Sequence, residues 1–373
     1  MNFDFTSDQY ALRDTVRAYL DDHWTTAELR AAIDGPGMPD GMWPALAELG
    51  VTMLLVPEAQ GGLGLTLTDA SLVFETFGET LAPGLIPQTI LASSVIARFG
   101  TADQRDELLP GIAEGRLKLA MALLDSPTSF DPAEIAAMAS RAGNGWRLDG
   151  VKPMVPYACL ADRILVAARV EGGGTGLFLC DPQAEGATLT PHVVVDPTSR
   201  LSSLHLDGVT ADTLLGGEAD GTALRYASAA SAAGAAAQLT GMAGRGLAMT
   251  LDFAKQRRQF GRAIGSFQAI KHKLADMMVT YETSRSAAYY AHWALARDDP
   301  AALAAVSLAK AYAGDMARAV LNESIHIHGG VGFTWEYDLH FFLKRAKLLE
   351  YQYGDAAWHR ERYAAAIIDQ AAA

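Results

Sequence analysis

At 373 residues, half of them hydrophobic and 20% charged, the chain has enough material for two or three packed domains and is not a disordered polymer. Its net charge of −13, with no basic stripe, excludes nucleic acid as a partner. Two cysteines, Cys159 and Cys180, without CxxC spacing exclude a disulfide framework and a cysteine-based zinc site, so no metal is expected and a reduced, cytoplasmic setting fits.

The start, Met1-Asn2-Phe3-Asp4-Phe5, has neither a basic nor an apolar leader region, so no signal peptide is predicted. No apolar run of about 18 residues lacks breaks, so no membrane span is predicted either. Thr6-Ser7-Asp8-Gln9 is a capping-box pattern. Leu12, Val16, Tyr19 and Leu20 then share one face at helical spacing. Trp43, Leu46 and Leu49 continue the helical pattern, and Gly50 is a natural stop. The glycines of Val56-Pro57-Glu58-Ala59-Gln60-Gly61-Gly62-Leu63-Gly64 have the look of a phosphate cradle, but no strand precedes them, and a plain turn is the favoured reading. A helix from about Leu67 carries Leu72, Val73, Phe74 and Phe77. Gly100-Thr101-Ala102-Asp103-Gln104 is a stop followed by a start, and Leu108-Leu109-Pro110 is expected to close the next helix.

Near Lys118 the pattern changes. Short apolar runs at Leu119 to Leu124, Trp146 to Leu148, Ile164 to Ala168, Leu177 to Cys180 and Leu204 to Leu206 are separated by turns such as Gly143-Asn144-Gly145. This predicts a small β domain ending around Leu214-Leu215-Gly216-Gly217. From Gly221 onward everything is helical. Phe267, Ile270, Leu274, Met277, Met278 and Tyr281 form an apolar face, and further helices are predicted over 301–327, 336–350 and 355–369. The order helical–β–helical predicts an α+β chain: an N-terminal helical domain (1–117), a middle β-barrel-like domain (118–217) and a C-terminal four-helix bundle (218–373).

Two segments carry chemistry. Arg257-Arg258-Gln259-Phe260-Gly261 is a helix end and a Gly turn, followed by Ser266-Phe267-Gln268 and Leu274-Ala275-Asp276-Met277. Arginine gives planar, charge-assisted contacts to diphosphate oxygens, phenylalanine a stacking face and glutamine an orienting hydrogen bond. A charged, solvated helix–helix corner is the plain alternative. The second segment is His326-Ile327-His328-Gly329-Gly330-Val331-Gly332-Phe333.

Together these segments resemble the two flavin-contacting signatures of the acyl-CoA dehydrogenase family, and weaker likenesses at Val56-Pro57-Glu58 and Trp146-x-x-x-Gly150-x-Lys152 keep the family's order along the whole chain. The resemblance implies FAD as cofactor and an acyl-CoA thioester as substrate. It also implies an electron-transfer protein as acceptor and a homo- or hetero-oligomer, a dimer or tetramer in which these segments hold the neighbour's FAD. Arg257, Phe260 and Gln268 would face the diphosphate and adenosine part, with Gly329 and Gly330 allowing close backbone approach. His326 stands where the family has Gln, and its plain alternative is an interface histidine.

The departures are as informative. The family's Thr-Glu-Pro-Gly-x-Gly-Ser-Asp flavin loop is replaced by Leu124-Asp125-Ser126-Pro127-Thr128-Ser129, where Ser126, Thr128 and Ser129 remain as flavin donors, and its Trp-Ile-Thr strand reads Met154-Val155-Pro156. The reaction needs a base for the α proton, usually a Glu before a Gly near the C-terminus. That slot is Tyr353 here, followed by Gly354 and Asp355, and a phenol with an unperturbed pKa of about 10 is a poor base at neutral pH. The family's alternative slot falls near Ser231, and no Asp or Glu occurs between Gly221 and Thr250. Asp355 is therefore the candidate catalytic residue, with a helix N-terminal charge as its plain alternative; Glu350 is expected to be a solvated helix residue. The small side chains of 227–247 suit either a bulky acyl group or tight helix packing.

Three functions follow from the resemblance. One is an FAD-dependent acyl-CoA dehydrogenase, active in lipid metabolism and β-oxidation, with a displaced base. The second is a non-catalytic subunit that completes the FAD site of a heteromeric enzyme, because Phe333-Thr334-Trp335-Glu336 and Gly354-Asp355-Ala356-Ala357-Trp358-His359-Arg360 resemble bacterial mixed-tetramer members, including those that shorten sterol side chains. The third is a flavoenzyme of the same fold with different chemistry, such as oxidation of a nitroalkane or a monooxygenation, some of which use Asp as base.

Overall fold

The computed structural model describes residues 4–126, 129–143, 145–211 and 213–369. Six helices come first: α1 (Ser7–His23), α2 (Thr26–Asp34), α3 (Met42–Glu48), α4 (Leu67–Thr80), α5 (Leu85–Phe99) and α6 (Ala102–Ala113). Thr6 and Thr101 each form the expected capping box, with Gln9 and Gln104. Gly50 takes φ +79 as the stop after α3. Pro110, expected to end its helix, lies inside α6, which runs on to Ala113. Its missing N–H removes one i→i−4 bond from the last turn of α6.

The glycine turn after Val56 is not a phosphate cradle. The N–H groups of Gly61, Gly62 and Gly64 are taken by the carbonyl oxygens of Glu58, Pro57 and Val56. None is left pointing outward for an anion.

Eight strands follow: β1 (Leu119–Ala122), β2 (Met138–Ala142), β3 (Gly145–Pro156), β4 (Arg163–Val170), β5 (Thr175–Cys180), β6 (Ala187–Pro191), β7 (Leu201–Ala211) and β8 (Thr213–Leu214). They form one sheet in the order β6-β7-β3-β2-β4-β5-β8, with β1 pairing parallel to β4. β3 pairs antiparallel with β7 and shifts register between Lys152 and Val155, where Met154 takes φ +58.

Then come α7 (Thr222–Gln256), the two-residue strands β9 (Arg258–Gln259) and β10 (Arg262–Ala263), α8 (Gln268–Ala296), α9 (Ala302–His328), α10 (Leu339–Tyr351) and α11 (Ala356–Ala364). By contacts the chain divides into two units. One holds residues up to Leu29, Leu67–Ala82 and everything from Ala232; the other holds Arg30–Thr66 and Pro83–Ser231. The fold is α+β: helical at the N-terminus, a sheet in the middle, helical at the C-terminus.

In the first unit α4 and α7 approach at glycine. A Cβ on Gly78 would lie 2.0 Å from the Gln238 carbonyl oxygen, and one on Gly241 2.0 Å from that of Glu75. The small residues of α7 here serve close helix packing. Glu75 itself is buried, bonded by Tyr281 Oη at 3.0 Å, by Tyr289 Oη, and by Arg285 Nε at 3.1 Å. Burial, next to that carboxylate, pushes both phenols up. On α8, Met277 is buried but Met278 is exposed, so the apolar face is narrower than its sequence pattern.

Candidate flavin-binding segments and the proton-acceptor position

The first segment is a hairpin at the end of α7. Arg262 pairs with Gln259 and Ala263 with Arg258. The two linking residues, Phe260 and Gly261, take φ +52 and +80, the positive values a two-residue hairpin loop requires. A bulky residue at positive φ is unfavourable. Here it leaves the Phe260 ring 92% exposed, edge-on to Phe267 at 6.2 Å. Arg257, Arg258 and Arg262 are all exposed, the last stacked over the Phe267 ring at 4.0 Å. Gln268, also exposed, opens the 29-residue α8, whose N-terminus has no side-chain cap. Exposed guanidinium groups beside an uncapped helix N-terminus match the charge and donor needs of a diphosphate.

The second segment follows α9. Gly329 takes φ +64, and a Cβ at Gly329 or Gly330 would meet nothing within 4 Å, so the backbone lies open. Phe333 and Trp335 are 72% and 52% exposed. His326 projects outward, with Nδ1 3.4 Å from Glu323, which also pairs with Lys273. The interior histidine of this motif is His328, two residues on, which the sequence pattern does not single out.

In the β unit, Ser126 is half-buried, and Thr128 lies outside the described residues. Asp125, beside them, forms a buried ion pair with Lys152 and accepts the Ala137 N–H at 2.8 Å. Burial lowers Lys152 to about 8, against the attraction of Asp125.

At the turn where the sequence resemblance leads one to expect the base, Tyr353 takes φ +60 and Gly354 φ +104. A Cβ on Gly354 would lie 2.6 Å from the Trp358 ring. Asp355 caps α11, accepting the Trp358 N–H at 2.8 Å. Glu350 is not the solvated residue expected from sequence: it is buried, with Arg318 Nε at 3.1 Å from one oxygen and Lys347 Nζ at 2.8 Å from the other. Beneath the turn, the buried Lys310 donates to the carbonyl oxygens of Glu350 (3.0 Å) and Gly354 (2.8 Å). His359 Nε2 donates to the Tyr353 carbonyl at 2.9 Å. Ser231, the alternative slot, is buried, and its hydroxyl has no hydrogen-bond partner among the described residues. Among the described residues no cluster suits a metal ion, and no helix is long and apolar enough to cross a membrane.

The family profile described as "Acyl-CoA dehydrogenase, N-terminal domain" matches residues 6–116, and "Acyl-CoA dehydrogenase, C-terminal domain" matches 223–368. The chain belongs to the acyl-CoA dehydrogenase family. "Acyl-CoA dehydrogenase IpdE2" of Mycolicibacterium smegmatis is 32% identical over 90% of this chain and 91% of its own. Among solved structures, a point variant of the "Tcur3481-Tcur3483 steroid ACAD" is 32% identical with TM-score 0.90, covering 98% of this chain and 99% of that one. The "ChsE4-ChsE5 complex from Mycobacterium tuberculosis" is 28% identical with TM-score 0.89 over 97% of each chain. FAD is the cofactor that goes with this family, and the open glycine turn and exposed arginine hairpin fit a flavin dinucleotide held at a surface.

Proposed function

We propose that this chain takes part in α,β-desaturation of an acyl-CoA thioester as the subunit that completes the FAD site of a second, base-bearing acyl-CoA dehydrogenase chain. The observation that carries this reading is the engagement of both nearby carboxylates: Asp355 caps α11, and Glu350 is buried between Arg318 and Lys347. Tyr353 fills the slot itself, with its carbonyl tied to His359. FAD, when bound, would supply the hydride acceptor for the β carbon, while the α proton needs a base, and both carboxylates near this turn are already engaged.

Arg257, Gln268 and the Gly329–Gly330 backbone would hold the neighbour's cofactor, with Phe260 against a flat ring. The exposure of Phe260, Phe333 and Trp335 supports a covered surface in the assembly. Two of the similar structures, a steroid acyl-CoA dehydrogenase and a two-component complex, favour a mixed assembly and a bulky acyl group. A soluble electron-transfer protein is the acceptor in this reading.

Co-expression with a base-bearing acyl-CoA dehydrogenase chain from the same organism, followed by native mass spectrometry, tests the reading. It predicts equal numbers of the two chains in one flavin-containing tetramer. A flavin-saturated homotetramer that ignores the second chain contradicts it.

A further inference from the structure

We infer that His328 is the positioning residue that locks the two flavin-contacting segments to each other. This inference rests on the flavin-site reading given above. Nδ1 of His328 lies 2.7 Å from the Ser324 carbonyl oxygen, which can only accept, so Nδ1 carries the proton. Nε2 is then a bare lone pair, and it accepts the Tyr337 hydroxyl at 2.9 Å. The imidazole is a neutral group with a single tautomer, and burial lowers its pKa further. Its face stacks on Phe253, with centroids 4.3 Å apart and planes 27° from parallel.

These three contacts join separate pieces of chain. Phe253 lies in the last turn of α7, and its carbonyl oxygen accepts the Arg257 N–H at 2.8 Å, so the ring that stacks on His328 belongs to the residue that fixes the start of the arginine hairpin. His328 is the last residue of α9, directly before Gly329. Tyr337 lies beyond the turn that exposes Phe333 and Trp335. One ring therefore sets the separation between Arg257 and the open glycine backbone. The Gly329 N–H is accepted by the His326 and Ile325 carbonyl oxygens, so the glycine turn takes its position from the end of α9 that His328 closes. A diphosphate contacted from both sides requires that separation to be fixed before binding.

The test uses the full chain in its flavin-containing assembly. Tyr337→Phe removes the hydroxyl donor, and His328→Phe keeps the stack but removes both hydrogen bonds. Each is expected to weaken FAD affinity, read by flavin fluorescence, by roughly three- to tenfold, the worth of one buried hydrogen bond. The double variant is expected to be no worse than the weaker single variant, because both remove one coupling. Amide exchange should quicken over 257–264 in Tyr337→Phe, although residue 337 is remote in sequence. Arg257→Gln is the control for the flavin site. If Arg257→Gln weakens FAD but neither ring variant does, and exchange over 257–264 is unchanged, His328 has no positioning role. If FAD affinity ignores Arg257→Gln as well, the flavin-site reading falls and the inference falls with it.

Discussion

Lys310 Nζ lies 2.8 Å from the Gly354 carbonyl oxygen, so a fully buried amine holds the turn formed by Tyr353 and Gly354. Burial lowers Lys310 to about 7, with Glu350 and Asp355 opposing. Between that value and the unfolded pKa near 10.4 the unfolded chain binds the extra proton, so stability rises as pH rises from about 7 toward 10. Lys310→Met should lose that rise, which is worth up to about 1.4 kcal/mol per pH unit. Urea midpoints of the two proteins at pH 7 and pH 9 check this.

The opposite limb of the pH range belongs to His292 and His359. Burial lowers them to about 4 and about 3. Both stay neutral in the fold while the unfolded chain takes up protons below about 6.5, so stability falls as pH drops from 6.5 toward 4. His292 Nε2 has no hydrogen-bond partner among the described residues, and Phe74 packs nearby at 5.9 Å. His292→Phe is expected to reduce the slope of the acid limb of an unfolding-free-energy-versus-pH curve without lowering its plateau by more than about 1–2 kcal/mol.

The Lys152–Asp125 pair is buried in the β unit. Removing one partner strands a charge in a low-dielectric site, which costs about 3–5 kcal/mol. Asp125→Asn should destabilise the sheet by that order, and adding Lys152→Met should restore much of it. Urea titrations of the single and double variants decide whether the ion pair or the Ala137 N–H contact dominates.

Glycines at the helix crossing and at the exposed turn should respond in opposite ways. At Gly78 an added Cβ would sit 2.0 Å from a backbone oxygen, so Gly78→Ala forces α4 and α7 apart and should cost several kcal/mol or abolish soluble expression. Gly330 has open space and no positive φ, so Gly330→Ala should leave stability within about 0.5 kcal/mol of wild type while weakening FAD binding.

Much of this is legible locally. The capping boxes at Thr6 and Thr101, the stop at Gly50 and the long C-terminal helices rest on neighbours a few residues away, which sequence displays directly. β2 is hidden in the sequence because Met138–Ala142 carries Ser140 and Arg141 and is held as a strand by its ladder to β3. The burial of Glu350 is hidden too, because it depends on Arg318, Lys310 and Gly314 of α9, none of them near in sequence. His328 does not stand out beside His326 for the same reason: Phe253 and Tyr337, which make it an interior ring, come from either side of the turn.

Anaerobic mixing of the flavin-loaded chain, alone and then with the proposed base-bearing partner, against a panel of acyl-CoA thioesters tests the central claim most directly. The account predicts that flavin absorbance persists with the chain alone and bleaches once the partner is present, with Asp355→Asn changing neither result by more than a few-fold. Rapid bleaching of the chain alone that Asp355→Asn abolishes would contradict it and make Asp355 the base.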